Sequence, residues 1–210
     1  NGTLLDDLAI CIDILNRMLG SRGLPVVTKK EYLEVFRFPI ADYYQSVGFD
    51  FARWPYEDLA VEFMAAYMPA SLSKTRLRPG VTDALEAFAQ AGIRQVMLSA
   101  SHLDYLKLQA AHFGIDSYFD NILGLSHIHG TGKADIGRVW ADRERMKATV
   151  PPRMVLIGDT CHDSEVAQAI GARCVLAAGG HNSLERLMLA GADAVCAHIT
   201  QLVAGDEQVE

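Results

Sequence analysis

Two carboxylates four residues apart, Asp159 and Asp163, lie in the run Gly158-Asp159-Thr160-Cys161-His162-Asp163, directly after the apolar stretch 153–157. A loop in that position sits at the carboxyl end of a strand and leads into a helix. Carboxylates are hard oxygen ligands suited to Mg²⁺, a cation that uses few protein ligands and often a phosphate. A plainer reading has Asp163 capping the following helix and Asp159 in a turn. Ser99 closes the apolar stretch 93–98. Its hydroxyl can donate to an oxyanion or start a helix, and the Ser101–Asp104 segment offers another start. Lys133 follows Gly132 just inside a helix start, where the helix dipole disfavours a cation. A nearby anion would offset that cost, and so would solvation. The chain begins Asn1-Gly2-Thr3-Leu4, with Asp6 and Asp7 behind it. Gly2 permits a tight turn, and the Thr3 hydroxyl and main-chain amides can cradle an anion, although an ordinary loop reads the same way.

These residues need a scaffold that gathers them. Apolar positions at helical spacing predict a helix over 6–20, ended by Gly20 and Gly23, and helical structure over 29–46 with a break at Pro39. Another helix is predicted over 55–68, opened by Pro55. This first third holds no convincing strand. From Pro79-Gly80 onward the pattern alternates. Helices over 81–91, 103–113, 132–147, 163–170 and 183–190 separate short apolar strands over 93–99, 119–125, 153–158, 173–178 and 192–196. Such alternation predicts an α/β core, a Rossmann-like parallel sheet with helices on both faces. Ligands of such sheets bind beyond the carboxyl ends of the strands, where Ser99 and Asp159 fall. Residues 205–210 read as a frayed polar tail.

The composition narrows the function. With 210 residues, half of them apolar, and a formal charge of −7, the chain suits one large domain or a core with an inserted smaller unit, and the periodicity leaves residues 7–78 as either a helical insertion or an independent helical lobe. It disfavours a nucleic-acid or anionic-membrane surface. No apolar run reaches the ~20 residues that span a bilayer. Cys11, Cys161, Cys174 and Cys196 form no close pair and read as reduced thiols of a cytoplasmic protein.

Taken in order, the four signals resemble the four motifs of the haloacid dehalogenase-like hydrolases. Asn1-Gly2-Thr3 is similar to the end of the first motif, Asp-x-Asp-Gly-Thr, with Asn1 at the second aspartate. Ser99 matches the second motif, Lys133 the third, and Asp159 with Asp163 the fourth. LRPGV at 77–81 and AHFGIDSYFDNILG at 111–124 also resemble the family. The segment from GARCVLAAGG resembles its phosphoglycolate phosphatase-like branch. The resemblance implies a core of residues 1–6 and 79–210 with an inserted α-helical cap over 7–78. It implies a phosphatase that acts on a small phosphorylated metabolite through an aspartyl-phosphate. Asn1, through its carbonyl, Asp159 and Asp163 would hold Mg²⁺. Gly2, Thr3, Ser99, Ala100 and Lys133 would hold the phosphate, with Lys133 also orienting the nucleophile. That nucleophile is expected two positions ahead of Asn1, at the end of a central first strand, so the polypeptide is expected to extend further.

Asn1 departs from the pattern. The matching aspartate exchanges a proton with the leaving oxygen and with water, which an amide cannot do. Three explanations stand open: an inactivating substitution, a leaving group acidic enough to depart unaided, or another group such as His162 or His102. Arg37, Arg53, Arg76 and Arg78 are the cap's candidate anion binders. Arg37, in the aromatic run FRFP, is the one expected to meet substrate, while Tyr43, Tyr44 and Trp54 are expected to pack the cap. Rivals within the resemblance are a dehalogenase, against which the acidic pair argues, and a phosphonate hydrolase using Lys29 or Lys30. A catalytically silent phosphate-binding or interaction protein is the non-enzymatic rival, and Asn1 favours it.

Overall fold

The computed structural model describes residues 1–125 and 132–202; the tail expected to fray at 205–210 lies outside them. Residues 1–78 contain four helices, α1 (Leu8–Gly20), α2 (Lys29–Val35), α3 (Ile40–Ser46) and α4 (Tyr56–Ser73). Pro39 separates α2 from α3 as expected. Pro69 does not end α4, which runs on to Ser73. Packing outweighs the lost N–H there, because Ser71 is fully buried and its hydroxyl is bonded to Tyr105 of the core. Ile14, Leu15, Leu19, Tyr43 and Leu59 fill the centre of this helical unit. Its two connections to the rest of the chain run side by side: Leu5 and Leu77 form an antiparallel bridge, the Asp6 N–H donates to the Arg76 carbonyl (2.9 Å), and the Arg78 N–H donates to the Leu4 carbonyl (2.8 Å).

The remainder alternates helices and strands. In chain order it comprises α5 (Val81–Gln90), β1 (Val96–His102), α6 (Leu103–His112), β2 (Asn121–Leu125), α7 (Lys133–Lys147), β3 (Val155–Gly158), α8 (Cys161–Ile170), β4 (Arg173–Ala177), α9 (Leu184–Met188) and β5 (Ala194–Cys196). Among the described residues these strands pair in parallel, as the α/β pattern predicts. β1 starts three residues later than its apolar pattern suggested, since Ile93 is exposed, and it continues past Ser99 to His102 through a register shift against β2.

The strands form two groups, β1–β2 and β3–β4–β5. Between them lies one cavity of about 1680 Å³ whose lining includes Val96, Leu98 and Ser99 of β1 and Val155, Leu156 and Ile157 of β3. Helix α7 spans the division, packing on β1, β2 and α8. Each strand group has its own apolar core, centred on Val81, Leu85 and Leu106 in one case and on Val166, Leu176 and Leu187 in the other.

Candidate active site

Asp159 follows β3 directly, and Asp163 is the third residue of α8. Helix α8 starts two residues earlier than expected, so Asp163 caps it from inside. Its Oδ2 accepts from the Thr160 N–H (2.9 Å) and hydroxyl (2.7 Å) and from the Asp159 N–H (3.1 Å). The other oxygen meets Lys133 Nζ at 2.5 Å. Capping and site chemistry therefore coincide in one side chain. Burial alone opposes the charge on Asp163, but Lys133 and the Thr160 bonds outweigh it and hold the carboxyl below its ordinary range. Lys133 is the first residue of α7, and this carboxylate supplies the anion that its position near a positive helix end calls for.

Asp159 accepts the Thr3 hydroxyl (2.7 Å) on Oδ1 and the His181 N–H (2.9 Å) on Oδ2. Three glycines let backbone close around the two carboxylates. A Cβ on Gly2 or Gly180 would come within 2.2 Å of Asp159 Oδ2, and one on Gly158 would meet Asp163 Cγ at 2.2 Å. Gly2 also has φ of 71°, which a side chain would strain. Arg78 clamps the same loop, with Nη1 donating to the Gly2 carbonyl (2.8 Å) and Nη2 to the Ala178 carbonyl.

Asn1, Thr3, Ser99, Ala100, Lys133, Asp159 and Asp163 all line the one cavity. The Ser99 hydroxyl donates to Ser101 Oγ at 3.1 Å. The loop amides expected to cradle phosphate are engaged elsewhere: the Gly2 N–H donates to Asp7 Oδ1 (2.9 Å) and the Leu5 carbonyl (3.0 Å), and the Thr3 N–H to the Asn1 carbonyl (2.8 Å). Asp7 draws the Gly2 amide inward because it is itself buried and needs donors.

Asp7 belongs to a cluster that the motif reading did not find. His181 Nε2 lies 3.2 Å from Asp7 Oδ1, and His181 Nδ1 lies 2.9 Å from the Tyr32 hydroxyl. Tyr67 donates to Asp7 Oδ2 (2.5 Å), and Asn1 Nδ2 donates to Tyr67 (2.8 Å). Burial opposes both charges, yet the pairing wins: Asp7 is held well below its usual range and His181 is raised. Ligand atoms of Asp7, Cys11 and His181 lie within 4.8 Å of one another, a geometry able to hold a metal. Thiol and imidazole are softer donors than Mg²⁺ selects, and the hard-oxygen set is that of Asn1, Asp159 and Asp163. The available signal for His181 was its place in the loop after β4, at the carboxyl edge of the sheet.

Of the other candidates, His162 lines the cavity, lies tilted against Phe38 at 4.9 Å and bonds to Glu165 (2.8 Å). His102 stands at the N-terminal boundary of α6 without a side-chain capping bond and also lines the cavity. Arg37 is exposed and outside the cavity lining; Arg53 lies over Trp54, and Arg76 pairs with Asp6. Lys29 and Lys30 border a separate hollow of about 470 Å³. All four cysteines are free. Among the described residues, no helix is long and apolar enough to cross a membrane.

A parallel α/β sheet with a carboxylate pair, a lysine and a serine at its carboxyl edge, roofed by inserted helices, defines a class of hydrolase. The family model of the haloacid dehalogenase-like hydrolases matches residues 1–177, and the chain belongs to that family. Its fold is similar to that of a predicted phosphatase from Clostridium acetobutylicum (TM-score 0.78, 18% identity, covering 95% of this chain and 91% of that one). It is also similar to CbbY from Rhodobacter sphaeroides, solved in complex with phosphate (0.70, 22%, 96% and 92%). The protein tyrosine kinase A (PtkA) structure from Mycobacterium tuberculosis matches at 0.71 and 23%, covering 87% and 82%. In sequence the chain is 25% identical over 182 residues to tyrosine-protein kinase PtkA of that organism, spanning 86% of this chain but 60% of the relative's length.

Proposed function

We propose that this protein is a Mg²⁺-dependent phosphatase that cleaves a small phosphate monoester through an aspartyl-phosphate, with residues 7–78 as a cap over a core of 1–6 and 79–210. The observation that carries this reading is the convergence of Asp159, Asp163, Lys133, Ser99 and the Asn1–Thr3 loop on one cavity. The Asn1 carbonyl and Asp159 would hold Mg²⁺, with Asp163 a ligand directly or through water. The hard-oxygen donors and the glycine cradle of Gly2, Gly158 and Gly180 fit that cation. When bound, it offsets the repulsion between nucleophile and phosphoryl group, about 4 kcal/mol for like charges ~4 Å apart at an effective dielectric of 20.

The nucleophilic carboxylate would lie two positions ahead of Asn1, beside the cavity that Asn1 and Asp159 line. Lys133 neutralises charge on the phosphoryl oxygens. The Ser99 hydroxyl donates to one of them in the transition state. The Thr3 hydroxyl orients Asp159. Reduced thiols and the acidic charge suit a cytoplasmic enzyme.

Phosphate release from an ester panel, with and without Mg²⁺, tests this in a polypeptide that carries the residues ahead of Asn1. Mg²⁺-dependent turnover lost in Asp159→Asn and Lys133→Ala is expected. No release from any ester overturns the reading. It would favour the second one, a catalytically silent phosphate-binding protein, which Asn1 supports because its amide carries no transferable proton.

A further inference from the structure

We infer that the ester cleaved at this site is an aryl phosphate, one whose leaving group departs as a phenolate without receiving a proton and whose ring lies against the aromatic wall of the cap; this rests on the phosphatase reading above. Two independent observations meet here. The first is the acid position. Asn1 cannot protonate a leaving oxygen, and one of its amide hydrogens already goes to Tyr67 at 2.8 Å. Tyr67 offers no substitute, since its O–H donates to Asp7. The Lys133 ammonium is engaged by Asp163. An alcohol ionises about as reluctantly as water, near 15.7, whereas a phenol ionises near 10. Among the described residues, His181 is held by Asp7 and Tyr32, His162 by Glu165, and His102 stands at the start of α6; with no proton delivered from the Asn1 position, the second class leaves more readily than the first.

The second observation is the wall that faces the leaving group. The cap residues lining the cavity include no lysine or arginine; they are apolar and aromatic apart from Asp7, Phe36 and Phe38 among them. The Phe38 ring lies tilted 4.9 Å from that of His162, in the first turn of the helix that Asp163 caps, and Phe36 lies 5.1 Å from the ring of His181, whose N–H holds Asp159. Both rings line the same cavity as the two carboxylates and touch residues beside them. Other cations of the lining, Arg94, Arg143, Lys147 and Arg153, flank the amino ends of β1 and β3, away from Ser99 and Asp159. Among the described residues, a substrate carboxylate such as that of phosphoglycolate meets no cation beyond Lys133, while a ring meets rings.

The step balances without further reactants. The carboxylate oxygen bonds to phosphorus as the P–O(aryl) bond breaks, and that bond's electron pair leaves on the phenolate. Water then bonds to phosphorus as the carboxylate–phosphorus bond breaks. The net change is aryl phosphate plus water giving a phenol and inorganic phosphate, with the phenol's proton drawn from that water.

Phenyl phosphate and cyclohexyl phosphate have nearly the same shape and differ in leaving group, so they test the inference in the full polypeptide with Mg²⁺. The expected kcat/KM ratio, phenyl over cyclohexyl, is about 10²–10⁴, the usual worth of general acid help. Asn1→Asp should narrow the ratio to within about ten-fold by raising cyclohexyl turnover. Should that variant misfold, a steep dependence of wild-type kcat/KM on leaving-group pKa across substituted phenyl phosphates serves instead. Phe38→Ala should raise KM for phenyl phosphate with inhibition by inorganic phosphate unchanged. Equal turnover of the two esters, faster phosphoglycolate, or acetyl phosphate matching phenyl phosphate with no effect of Phe38→Ala overturns the aryl assignment and leaves the phosphatase intact. Failure of every ester removes the phosphatase reading itself.

Discussion

Asp7 is 2% exposed and His181 7% exposed, and together they form a buried polar pair at the junction of cap and core. Breaking a buried pair from one side leaves an uncompensated charge, so Asp7→Asn should lower stability by about 3 kcal/mol. Burial pushes the Asp7 carboxyl up, but His181 and Tyr67 hold it below the ordinary 3.8; its contribution is therefore present above that value and lost as pH falls toward the folded one. His181 is raised above 6.5, so its contribution is present below 6.5 and lost as pH rises through its folded value. The difference in Tm between wild type and Asp7→Asn should thus be widest between about pH 4 and 6.5; a difference that does not vary with pH would show that the pair is not ionised. A second residue test concerns the glycine cradle. Gly180→Ala places a Cβ against Asp159, and Mg²⁺ affinity measured by calorimetry should fall at least ten-fold. The acidic pair, Lys133, Ser99 and Asn1–Thr3 were legible in the sequence because each sits at a strand end or helix start, where type and position carry meaning together. Asp7 and His181 were not: they are single residues 174 apart, and no local spacing announces that burial will bring them together.

At the scale of elements, α9 and the loop before it bind the cap to the core. Arg186 Nη1 donates to the carbonyls of Leu33 (3.0 Å) and Phe36 (2.7 Å), and Asn182 Nδ2 donates to Phe36 as well (3.0 Å). These groups satisfy the last carbonyls of α2, which would otherwise lack partners. Charged hydrogen bonds of this kind are worth roughly 2 kcal/mol. Arg186→Ala should speed hydrogen exchange across residues 29–46 while leaving α5 and α6 protected; uniform exchange throughout would place the strap's effect elsewhere. Periodicity read the helices and strands well, because one buried face repeats every three to four residues in a helix. It misplaced the start of β1 and the end of α4. Pairing with β2 sets the first, and the burial of Ser71 sets the second, and neither contact is written in the local sequence.

Across the described residues the strands divide into two groups. Two parallel groups of strands, each with its own core, present Val96 and Leu98 on one side and Leu156 and Ile157 on the other to a shared cavity. A strand running parallel to β1 and β3 would satisfy both edges at once and end at Asn1, beside Asp159. Burying one Val, Leu or Ile side chain is worth about 1.5–3 kcal/mol, so even a net ~3 kcal/mol after ordering costs raises Tm by roughly 6–12 °C in a chain of this size. The polypeptide of residues 1–210 should therefore bind the dye ANS strongly, and a longer one with an apolar strand leading into Asn1 should bind little and melt later. If such a strand also carries the nucleophile, stability and turnover should rise in parallel across a series of longer polypeptides. Equal melting and equal dye binding in the two polypeptides would mean that the cavity is not filled by that strand, and the nucleophile assigned to it would have to be sought elsewhere.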